Sequence, residues 1–193
     1  AGTAVTKCKV EFLSVYGSVS GQGVGLSEVR LYDQYGDVLD VLSSSASSSA
    51  SVTNPGGSPP QGYEPTLLAD KSLSSKGWLD EMGVPSTLIL PLTSASAVAA
   101  YDFYTESQNT DGRRDPTRWV VYCKTEQASE WTQMHAKTLS LSAAMPRKRS
   151  LRLNLNNEWL TWLSTYPTLA SSSISAGTAV TKCKVEFLSV YGS

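Results

Sequence analysis

The chain has 193 residues, 40% of them hydrophobic and 17% charged, with a formal net charge of −1 and an isoelectric point near 5.9. That composition supports one domain-sized core. The near-neutral charge argues against a basic nucleic-acid binder or a polybasic membrane-surface protein, and no apolar run approaches the ~18 residues of a membrane-spanning helix. Nothing at Ala1 has the pattern of a secretory signal, so a secreted form would carry that signal upstream or have lost it.

From the amino terminus, KCKVEFLSVYG alternates Val10, Phe12 and Val15 with polar neighbours and predicts a half-buried strand. VSGQGVG follows as a flexible turn, and LSEVRLYDQYGDVLDVL predicts a hairpin around Gln-Tyr-Gly. The serine-rich run Ser43 to Ser51 and the VTNPGGSPPQG after it offer little to bury and predict a long surface loop. STLILPLTSASAVAAYDFYTES predicts two strands, and RWVVYCKTE and SEWTQMHAKTL continue the rhythm of short strands and short turns. SLRLNLN alternates Leu151, Leu153 and Leu155 and predicts another strand, whereas NNEWLTWLSTY suits a short helix or a strand. Without a long stretch of 3.6-residue periodicity, the chain predicts an all-β fold: an antiparallel β-sandwich or jelly roll with long Ser/Pro/Gly loops.

The first eighteen residues, AGTAVTKCKVEFLSVYGS, recur without a change as Ala176 to Ser193, an offset of 175 residues. Identity of that length is a copy, either one period of a tandem array running into the next or a terminal strand duplicated by design. The offset has the size of a whole domain and far exceeds the 20 to 50 residues of solenoid repeats, so each bead should own a core. The chain is therefore divided into one β-sandwich repeat over residues 1–175 and, over 176–193, the start of the next repeat or a donated strand. The same reading resolves the odd cysteine count. Cys183 is the second copy of Cys8, which leaves Cys123 to pair with Cys8 or with Cys183, one disulfide per bead.

Three stretches together, LSEVRLYD, NPGGSPPQGYEPTLLADKSLSSKGWLD and DGRRDPTRWVVYCKTEQASEWTQM, resemble the discoidin or F5/8 type C family, a galactose-binding-like jelly roll. The correspondence spans most of residues 5 to 160. The resemblance implies calcium as a cofactor at a loop where Asp70, Ser75 and Glu28 match the family's ligands, although Lys71 replaces the usual glycine. It also implies that Arg114 and Asp115, in the Arg-Asp-Pro segment, form a structural pair joining loops, with Trp119 entering the core. Trp78 and Trp131 are expected in the core as well, and Trp159 and Trp162 at the end of the sheet or the junction between beads. In many members of the family the strand resembling TKCKVEFLSV comes late in the domain; here one copy comes first and another last, so two copies compete for one place in the sheet.

Catalysis has little to stand on. His135 is the single histidine and has no nucleophile motif near it, and Asp111 with Asp115 or Glu126 with Glu130 are ordinary loop carboxylates. No N-glycosylation sequon occurs, while Ser44, Ser48, Thr53, Ser58 and Ser172 lie in hydroxyl-rich stretches suited to O-linked sugar. The resulting expectation is a non-enzymatic extracellular or cell-surface structural module that assembles with copies of itself into a fibre or surface array, through tandem repetition or strand donation. The alternative is a carbohydrate-binding module that takes glycans at the loop end of the sandwich.

Overall fold

A computed structural model describes residues 3–17, 23–42, 51–72, 76–106, 108–109 and 111–139 in full, and the backbone of 150–154 and 160–163. The strands are β1 (Val5–Val15), β2 (Val24–Tyr32), β3 (Val38–Leu39), β4 (Trp78–Asp80), β5 (Ser86–Ser96), β6 (Ala100–Thr105), β7 (Pro116–Lys124), β8 (Thr132–Thr138), β9 (Ser150–Asn154) and β10 (Leu160–Leu163). They form two antiparallel sheets, as the short-strand rhythm predicts. The first has the order β5–β1–β7–β8; the second runs β10–β9–β6–β2–β3, with β4 paired to the start of β2. NNEWLTWLSTY resolves as a strand: β10 pairs with β9 through Leu160 opposite Leu153 and Trp162 opposite Leu151.

The core lies between the sheets. In β1 the alternation drives Cys8, Val10 and Phe12 inward, and all three are buried. Phe12 meets Phe103 of the opposite sheet at 5.5 Å between ring centroids, and Phe103 meets Trp119 edge-on at 5.4 Å. These rings fill the space that sheet packing must close. Trp78 is buried beside Phe12 and Trp119 donates its Nε1 proton to the Tyr101 hydroxyl at 2.7 Å, as expected of core tryptophans.

The turns follow their chemistry. Asp33 Oδ1 accepts from the backbone N–H groups of Tyr35 and Asp37, and Gly36 takes a φ of +88°, which closes the hairpin between β2 and β3. Within the stretch expected to lie free on the surface, Val52 is buried and Thr53 exchanges backbone hydrogen bonds with Ile89, so this loop runs along the outer edge of β5. An edge covered in this way is closed to pairing with other chains at that point.

Candidate functional site

The place contested by the two copies is occupied by the first. β1 lies between β5 and β7, antiparallel to both, with Cys8 opposite Leu90 on one side and Cys123 on the other. Cys8 and Cys123 are joined by a disulfide, their Cα atoms 4.0 Å apart. Tyr16 and Gly17, just past the strand, donate backbone hydrogen bonds to the carbonyls of Asp115 and Arg113. The strand is thus held along both edges, through its inward side chains, by a covalent bond and at its exit. Cys183 and the rest of the second copy lie outside the described residues.

At one end of the second sheet, the register between β2 and β6 shifts between Leu26 and Glu28. Such a bulge re-aims the side chains around it, and here an acidic residue ends up only 1% exposed. Burial pushes the Glu28 carboxyl up to about 7, opposed by the Arg30 guanidinium and reinforced by the negative charge of Asp70. Arg30 Nε stands 3.5 Å from Glu28 Oε1, whereas Glu28 Oε2 is buried without a hydrogen-bond partner. Asp70 ends the 3₁₀ turn Pro65–Ala69 and accepts from the Ser72 N–H at 2.7 Å. Lys71 adopts a φ of +61°, the left-handed conformation for which glycine is the usual residue, and its ammonium is drawn to Asp40 at 2.6 Å. The loop therefore keeps a glycine-like path, and the lysine charge is engaged by another carboxylate. Ser75 lies outside the described residues. No cluster of three or more His, Cys, Asp or Glu side chains suited to a metal occurs among the described residues.

Arg114 and Asp115 both tie loops together, each through a partner in the 106–109 segment. Arg114 Nη1 lies 3.5 Å from Glu106 Oε2, and Asp115 Oδ1 accepts from Asn109 Nδ2 at 3.2 Å. The Arg114 carbonyl also accepts from the N–H of Gly25, the second residue of β2. A Cβ at Gly25 would lie 2.6 Å from Glu106 Oε2, so the absence of a side chain there lets the buried glutamate reach this junction. Glu106 and Asn109, both buried, have no counterpart in the motif reading, because neither sits in an alternating or motif-bearing stretch.

His135 lies half-buried on β8, within the strand that SEWTQMHAKTL predicts, with its Nδ1 2.7 Å from the Tyr101 hydroxyl. Burial raises the Tyr101 hydroxyl well above its ordinary pKa, against the lowering effect of the Trp119 hydrogen bond. Asp111 is exposed and Asp115 buried, while Glu126 and Glu130 are both exposed. Trp131 departs from expectation: it is half-buried outside the core, within cation–π distance of Lys9 and Lys124. It follows β7 in the connection to β8 and lands on the outer side of the first sheet. Of the residues suited to O-linked sugar, Thr53 is half-buried and Ser58 exposed, and Ser44, Ser48 and Ser172 lie outside the described residues. Trp159 and the side chain of Trp162 also lie outside them.

No helix among the described residues is long and apolar enough to cross a membrane. No family model, curated protein or solved structure matches this chain.

Proposed function

We propose that the chain is a non-enzymatic extracellular structural bead, discoidin-like in its sandwich, that works as a member of a tandem fibre or surface array. The observation that carries this reading is the complete seating of β1 in its own sheet, between β5 and β7 and bonded to Cys123. With that slot filled, the identical Ala176 to Ser193 has no equivalent place in the same bead and is supplied with every side chain needed to open the next one. Strand donation is the variant in which the second copy displaces β1 from a neighbour's slot, since a full row of backbone hydrogen bonds rewards either occupant equally. A disulfide deep in the sheet suits an oxidising compartment, in keeping with an extracellular place.

Calcium belongs to the same proposal. The buried, unpartnered Oε2 of Glu28 beside the negative Asp70 is the donor chemistry a hard cation takes, and Glu28, Asp70 and Ser75 would hold it. Its contribution would be to fix the loop end of the bead.

Electron microscopy of the protein isolated from its source tests the array. The expected image is a beaded filament or lattice with one bead of about 40 Å for every period, the diameter of a compact domain of this length. Single dispersed beads at all concentrations would sink the array reading.

A further inference from the structure

The outer face of the first sheet has a composition that the chain as a whole lacks. Because Cys8, Val10 and Phe12 point inward, Lys7, Lys9 and Glu11 point outward. The register then sets Lys7 directly opposite Lys124, and Lys9 opposite Tyr122. Lys9 is engaged by Glu11 at 2.7 Å and lies 4.4 Å from the centre of the Tyr122 ring. Trp131 completes the group, 5.3 Å from the Lys9 ammonium and 5.1 Å from that of Lys124. Between Trp131 on one side and Thr53 on the other runs a groove of about 260 Å³, floored by Ile89, Lys7 and Lys124.

Two like charges directly opposite each other on neighbouring strands disfavour the sheet. Among the described residues neither Lys7 nor Lys124 forms an ion pair with a carboxylate. A face maintained at that cost, with aromatic rings beside the charges, has a complement: an anion carried on an apolar ring surface.

We propose that this groove binds an anionic polysaccharide, with Lys7 and Lys124 holding its carboxylate or sulfate groups and Trp131 stacking on the C–H face of a sugar ring. The lysines lie too close together and too few in number for a polyphosphate track, and the remainder of the chain is net acidic, which opposes nucleic acid. An acidic sugar polymer has sparser charge and offers the apolar ring faces that an indole covers. The proposal needs no array. If an array exists, Lys182 and Lys184, the copies of Lys7 and Lys9, bring the lysines of β1 to the next bead as well, and a long polymer would gain avidity.

The test is binding of the folded chain to immobilised dextran sulfate and polygalacturonate, with neutral dextran as the control, at low and at physiological salt. Expected is binding to at least one anionic polymer, weakened more than about tenfold in the double variant Lys7→Gln/Lys124→Gln and unaffected by Arg113→Gln, which removes the same kind of charge from a distant loop. The polymer preferred assigns sulfate or carboxylate as the anion. Bound polymer should also protect Lys7, Lys9 and Lys124 of the unaltered chain from amine acylation, a readout that needs no variant. No binding above dextran, undiminished binding by the double variant, or binding of RNA or phosphatidylserine vesicles as tight as that of the acidic polysaccharides would overturn the proposal. Since each measurement uses single beads, its failure would leave the array reading to be judged on the microscopy alone.

Discussion

Replacing both Cys8 and Cys123 by alanine is expected to lower the free energy of unfolding by about 4 kcal/mol, read from the midpoint and slope of a denaturant titration. The bond closes a loop with a sequence separation of 115, so its loss releases a large part of the unfolded chain's restricted entropy. The loss is local in the fold as well. β1 and β7 are central strands of the first sheet, and the two cysteines are 0% and 1% exposed, so the removed sulfur atoms also leave packing behind. Against a typical total of roughly 5–15 kcal/mol for a domain, this is the difference between a robust bead and a marginal one. A loss below about 1 kcal/mol would mean that β1 is held by its hydrogen bonds and side chains alone, and that the disulfide contributes little to seating the first copy.

Glu28 carries the second large effect. Its carboxyl is raised from the ordinary 4.5 to about 7, first by burial, so between those pH values the folded chain binds more protons than the unfolded one. Stability is therefore greatest below about pH 4.5 as far as this group is concerned, and falls as pH rises, by about 3 kcal/mol once pH 7 is passed. In chelator-treated protein Glu28→Gln should abolish that slope and leave the variant about 2 kcal/mol more stable than the parent at pH 8, because a neutral amide has no charge to desolvate. A variant less stable than the parent at pH 8 would show that the ion pair with Arg30, and not burial, dominates this position. Added calcium gives the complementary reading: it should restore stability at pH 8 in the parent and do nothing for Glu28→Gln.

Much of the fold is legible in the sequence because the sheets bury one face. Val10 and Phe12 predict β1, and the leucines of SLRLNLN predict β9, since period-2 alternation has one simple solution; Val15, three residues past Phe12, returns to the core through the register shift around Ser14. NNEWLTWLSTY has no such solution, because in so short a run Trp159, Leu160, Trp162 and Leu163 fit a helix face as well as a strand; pairing with β9 decides it. Trp131 reads as core on hydrophobicity alone, yet its place is fixed by the turn into β8 and by two lysines whose ammonium groups lie over its ring. The lysine face is invisible in the sequence for a plainer reason: Lys7 and Lys124 become neighbours only through the register of β1 with β7. Glu28 is similar: the run Val24–Val29 is buried on both faces and its register shifts between Leu26 and Glu28, neither of which alternation encodes. The two copies of AGTAVTKCKVEFLSVYGS are chemically the same, so no local propensity distinguishes them; the arrangement in space does, with the first copy in the slot.

The measurement that bears most directly on the bead is a disulfide map of the non-reduced protein after cleavage at glutamate. Cys8 is then released on the peptide ending at Glu11, Cys183 on the peptide from Trp159 to Glu186, and Cys123 on a peptide ending at Glu126. A self-contained bead predicts the Glu126 peptide linked to the one ending at Glu11. The Glu126 peptide linked instead to the one from Trp159 to Glu186, with the Cys8 thiol free, would contradict it and place the second copy in the sheet.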